Sequence, residues 1–184
     1  MLPYPIQVAK AFGCPIFGTP YDANWVVLRN MKAPQDSFDG LSTLNWTEPG
    51  GAWRSVQILA ATRPGSKYLK SPMNPNGTAM VRAGRHALSH CLGTHGKNKT
   101  DALVQIPGTL IVLRDNDLDF VWDPADNKGW TDATGVNHHE CSNPAYLAGC
   151  IGSPREQLAV FLAAFRSLQL KRAQPKVSLT VIEV

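Results

Sequence analysis

The sequence predicts a mainly β fold of the α+β kind, with one strong helix near its C-terminal end. Three observations predict it. Short segments rich in β-branched and aromatic residues, some alternating apolar with polar, recur along the chain. The 15 glycines and 14 prolines supply more turns than a helix bundle needs. Only one long segment, beginning at Ser153, repeats apolar residues at helical spacing. A chain of 184 residues suffices for one domain with its own core. With 43% hydrophobic and 17% charged residues it is globular rather than disordered. A single domain over 1–184 is expected.

Taken in order, residues 1–20 read as an N-terminal arm. The start, Met1-Leu2-Pro3-Tyr4-Pro5, lacks the charged start and apolar run of a signal peptide, so no export signal is expected there. Asn24 to Arg29 reads as a strand because Trp25, Val26, Val27 and Leu28 run together. Trp53 to Leu59 alternates, as a half-buried strand does. Thr78 to Arg82 is a shorter candidate. Ala102 to Ile106 and Thr109 to Leu113 flank Pro107-Gly108, which predicts a hairpin. Gly135 to His139 reads as a short strand entering a loop, and 176–184 as the closing strand. Arg63-Pro64-Gly65, Ser71 to Gly77 and Arg114 to Asp119 read as loops. A helix is expected over 153–170. Ser153, Pro154 and Glu156 suggest a capping box, and Leu158, Phe161, Leu162, Phe165 and Leu168 form its apolar face. Lys171 and Arg172 suit its C-terminal end.

The net charge is +4, from 18 Lys and Arg against 14 Asp and Glu, and the basic residues are scattered. The small groups Lys67 to Lys70 and Lys97 to Lys99 read as solvated surface. No basic stripe interleaved with aromatics points to nucleic acid, and no apolar run is long enough to span a membrane. Trp25, Trp46, Trp53, Trp122 and Trp130 read as core residues. Asp115, Asp117 and Asp119 alternate like the start of a calcium loop. The sixth place holds Phe120 rather than Gly, and no Glu stands at the twelfth, so a solvated turn is expected.

The chemistry concentrates in Gly135 to Cys150. A strand brings up His138 and His139, a loop containing Pro144 follows, and Ala148-Gly149-Cys150 leads toward the helix. A thiol attacks as thiolate, so a cysteine nucleophile needs a base, and histidine is the usual one. Gly149 leaves room for a substrate carbonyl and exposes backbone N–H groups suited to an oxyanion hole. Alternation along a regular strand puts Val136 and His138 on one face and Asn137 and His139 on the other. With Val136 toward the core, His139 is the expected base of Cys150. Two other readings of the same residues stand beside this one. His138, His139, Cys141 and Cys150 are competent zinc ligands, although their spacing fits no common zinc signature. Cys141 and Cys150 are also candidates for a disulfide. The expectation is no metal and no cofactor.

A histidine at the end of a strand, then a loop, then Gly-Cys and an apolar residue resembles the catalytic motif of L,D-transpeptidases. A closer likeness is to a set of phage and bacterial proteins of poorly assigned function. It runs through Trp53, Ala61-Thr62-Arg63-Pro64-Gly65, Pro75-Asn76-Gly77-Thr78-Ala79 and Gly84. It continues through Leu92-Gly93-Thr94-His95-Gly96, Ala102-Leu103-Val104-Gln105 and Arg114-Asp115-Asn116-Asp117. It ends with Gly135-Val136-Asn137-His138-His139 and Ala148-Gly149-Cys150. The resemblance implies an L,D-transpeptidase-like β-sandwich or barrel with Cys150 as nucleophile and His139 as base. His138, His95, Gly149 and Gln105 would support them. It implies peptidoglycan peptides as substrates and, for a phage-related chain, other virion proteins as partners. Two positions depart from the pattern. Leu147 stands where a Ser is usual, and the first Arg after Cys150 is Arg155.

Overall fold

The computed structural model describes residues 1–122, 131–132 and 135–184. Trp130 and the twelfth place of the Asp-rich run lie outside the described residues. The fold is mainly β: an eight-stranded mixed sheet that nearly closes into a barrel, a small three-stranded sheet, and three helices.

The first correction comes at the N-terminus. Residues 1–20 are not simply an arm, because Tyr4–Ala11 forms helix α1 with Pro5 in its first turn. Ile6 and Ala9, three residues apart, are fully buried against Val26, Leu28 and Ile182. Strand β1 (Asn24–Arg29) follows, then β2 (Gly40–Thr47) and β3 (Trp53–Ala60), paired as an antiparallel meander. β1 is buried along its whole length. One face packs on α1; the other, carrying Trp25 and Val27, enters the main core.

Ser66–Lys70 forms the short helix α2, then β4 (Thr78–Val81), β5 (Gly84–His95) and β6 (Thr100–Gln105) follow. β7 (Ile111–Asp115) pairs with β4 and with β8 (Thr131–Asp132) in the small sheet, whereas β6 pairs with β5 in the large one. Pro107-Gly108 therefore turns the chain between sheets instead of closing a hairpin. Gly108 takes φ 73°, a left-handed turn conformation that glycine tolerates.

β9 (His138–Glu140), a 3-10 turn (Pro144–Tyr146) and β10 (Ile151–Ser153) lead into α3 (Arg155–Arg172). The expected capping box does not form. Ser153 lies in β10, fully buried, with its hydroxyl on His138, and the helix starts after Pro154 without a side-chain cap. α3 runs past Leu170 to Arg172 and ends on Ala173 in the left-handed conformation. Its five anticipated apolar residues are all buried in the main core. Arg172 and Lys171 do lie in the last turn. β11 (Lys176–Glu183) inserts between β5 and β1, parallel to β1.

The strand order is β10-β9-β6-β5-β11-β1-β2-β3. Its two ends meet where Ala61 and Gly152 exchange backbone hydrogen bonds of 2.7 and 2.9 Å. That closure places the Ala61-Gly65 segment beside the loop that carries Cys150. No described helix is long and apolar enough to cross a membrane.

Candidate active site

β9 and β10 run parallel, with His138 opposite Ile151 and His139 opposite Gly152. His138 and Ile151 both point into the core. Alternation then sends Asn137, His139, Cys150 and Gly152 to the opposite face. Histidine and cysteine thus share a sheet surface, on neighbouring strands and diagonally placed.

His138 is a core residue. It stacks on Trp25 at 5.3 Å and meets Phe161 edge-on at 5.2 Å. Burial, reinforced by the neighbouring His90 and His139, lowers its pKa to about 3, so it is neutral at ordinary pH. Its Nε2 pairs with Ser153 Oγ at 2.9 Å, and its Nδ1 has no partner among the described residues.

His139 is half-buried. Its Nδ1 donates to the Glu140 carbonyl at 2.7 Å, which leaves Nε2 as the ring's proton acceptor. Burial, then the adjacent His95, lowers its pKa to about 4. His95, at the end of β5, stacks flat on His139 with ring centroids 3.9 Å apart. Asn137 fixes the His95 tautomer. Its Oδ1 accepts from the Gln105 N–H at 2.9 Å, so its amide N–H must donate to His95 Nδ1, 2.8 Å away. Gln105 also returns a bond, its Oε1 accepting from Val136 N–H at 2.9 Å. Together these contacts pin β9 against β6.

Cys150 is half-buried at the mouth of this arrangement. Its Sγ accepts from Asn137 N–H at 3.4 Å and donates to the Gly135 carbonyl at 3.5 Å. Among the described residues no hydrogen bond joins it to His139. Burial raises the thiol's pKa, partly offset by the Asn137 N–H, so the resting pair is neutral thiol and neutral imidazole. The Gly149 and Cys150 amides have no backbone acceptor among the described residues. Gly149 takes φ 108°, and a Cβ there would lie 2.5 Å from the Ala79 carbonyl oxygen, so this position requires glycine.

All four cysteines are free, so the Cys141–Cys150 disulfide does not form. The zinc set does not converge either. His138 faces the core, whereas Cys141 packs with Ala61 and Leu147 in an apolar cluster that Cys150 borders, and no His–Cys ligand group converges among the described residues. Leu147, at the position of the usual Ser, is a buried member of that cluster. Its carbonyl accepts from Gly65 N–H at 2.8 Å. Gly65 touches the 3-10 turn so closely that a Cβ would lie 2.3 Å from the Pro144 and Ala145 carbonyl oxygens. Arg155 is exposed and pairs with Glu140 at 3.5 Å. The two residues line two grooves beside the site. One is completed by Lys99, Asp101 and Arg166, the other by Phe38 and Cys141.

Four participants were missed in the sequence. Asn137 could have been found, since strand parity puts it on the face of His139. His90 carries no local signal; it lies in an unanticipated strand and holds the Val136 carbonyl through Nε2 at 3.0 Å. The Glu140 and Gly135 carbonyls act through backbone, which residue types do not reveal. No protein-family model, curated protein or solved structure matches this chain.

Proposed function

We propose that the chain is a cysteine-dependent acyl-transfer enzyme acting on peptidoglycan peptides, with an L,D-transpeptidase-like sandwich or barrel as its architecture. The carrying observation is the hydrogen bond from His139 Nδ1 to the Glu140 carbonyl, which leaves Nε2 as the ring's free proton acceptor on the sheet face that strand alternation assigns to Cys150. As the thiol attacks a peptide carbonyl, its proton passes to Nε2 and a C–S bond forms. The oxyanion draws on the amides of Gly149 and Cys150. His139 then protonates the leaving amine, the C–N bond breaks, and a thioester remains. Water or an acceptor amine, losing a proton to His139, attacks the thioester and releases the thiol. Water gives a peptide hydrolase; an amine gives a transpeptidase. The mixed charges of Lys99, Asp101, Arg155 and Arg166 suit a peptide bearing both amino and carboxyl groups. Hydrolysis is the natural role of a phage-related chain, acting at host lysis or from a virion.

A second reading, a non-catalytic virion, tail or wall-binding protein, draws on one observation. The thiol is held by Gly135 and Asn137, away from any hydrogen bond with His139. Incubation with purified peptidoglycan and mass analysis of the released peptides separates the two. The enzyme reading predicts new muropeptides from the native protein and none from Cys150→Ala. Identical profiles from both proteins favour the structural role.

A further inference from the structure

The Asp-rich run after β7 is solvated over most of its length, as expected, but its first residue is not. Asp115 is fully buried, while Asp117 and Asp119 are exposed beside it. One carboxylate oxygen from each lies within 4.8 Å of the others. Asp115 Oδ2 accepts from Phe120 N–H at 3.2 Å, and its buried Oδ1 has no hydrogen-bond partner among the described residues. No ion pair to any of the three is present among the described residues. A buried carboxylate gathered with two more is costly unless a cation completes the group.

We propose that Asp115, Asp117 and Asp119 form a binding site for one calcium ion. Three carboxylates offer up to six hard oxygen donors, and an irregular loop suits calcium's tolerant geometry better than magnesium's strict octahedron. Phe120, where a calcium loop of this pattern usually has glycine, takes φ 68° and makes the left-handed turn regardless. With three donor residues, affinity belongs near the weak end of protein calcium sites, about 10⁻⁴ to 10⁻³ M. The site is tied to the rest of the fold. β7 pairs with β4 through Thr78 and Asp115, and the Trp122 indole N–H donates to the Thr78 carbonyl at 3.1 Å.

The test is calorimetric titration of the full chain with calcium chloride, paired with melting curves in calcium and in chelator. Asp117→Asn/Asp119→Asn is the main variant, because both residues are exposed and their loss leaves the fold intact. The native chain should bind one calcium. Its Tm should rise by about 3–6 °C when calcium is roughly ten times Kd. The double variant should lose at least tenfold in affinity and most of that rise. Absence of binding at about 10 mM calcium, or equal binding by the double variant, overturns the proposal. An equal response to magnesium overturns the choice of calcium.

Discussion

His90, His138 and His139 are three of five histidines, and their pKa values lie at about 4, 3 and 4, against an ordinary value of 6.5. Each depression comes first from burial. An unfolded chain would take up protons at pH values where the folded one refuses them. The stability contributed by the neutral rings is therefore complete above about pH 6.5 and is lost as pH falls through the folded-state values. Each ring accounts for on the order of 2 kcal/mol by about pH 5. Melting curves should show Tm falling by more than about 10 °C between pH 7 and 5. His138→Phe keeps the stack on Trp25 and should flatten part of that slope. A Tm constant over this interval would contradict the placement of these histidines.

At the scale of elements, α3 carries the core. Phe161 is fully buried, edge-on to the stacked Trp25 and His138, while Val160 beside it is exposed. Phe161→Ala should cost about 3–5 kcal/mol in urea unfolding, and Val160→Ala within about 0.5 kcal/mol of nothing. Equal effects would mean that the helix presents another face. α3 was legible because its apolar residues keep one helical period, and β1 and β4 because theirs run together. β2 and β5 were hidden for a physical reason. Several of their fully buried positions are polar: Ser42, Thr43 and Asn45 in β2, Ser89 and His90 in β5. These are satisfied by partners that sequence does not display. Trp25 Nε1 donates to Ser42 Oγ at 2.8 Å, and Thr43 Oγ1 donates to the Val26 carbonyl at 2.9 Å. Leu88, at φ 47°, lies opposite a register shift in β11 and breaks the alternation of β5. Ser153 misled for a related reason: a hydroxyl with capping spacing was needed inside the core by His138.

Across the whole molecule, sheet closure gathers segments that are remote in sequence. Ala61 meets Gly152, Gly65 holds Leu147, and the Ala79 carbonyl abuts Gly149. The separated sequence blocks thus converge on the Cys150 loop from both sheets. Strand parity sufficed to sort His138 from His139, because it depends on two neighbouring residues alone. The positions of His95, Asn137 and Gln105 depend on pairing between β5, β6 and β9, which no single segment encodes. The central claim is that Cys150 takes an acyl group from a peptide with His139 as its base. Intact-protein mass spectrometry tests it most directly, after mixing the native chain with excess soluble peptidoglycan peptides and quenching in acid. The account predicts a thioester adduct that maps to Cys150, is discharged by hydroxylamine, and is absent from Cys150→Ala and from His139→Gln. A native chain that stays unmodified at Cys150 under these conditions, or that is acylated equally well in His139→Gln, would contradict it.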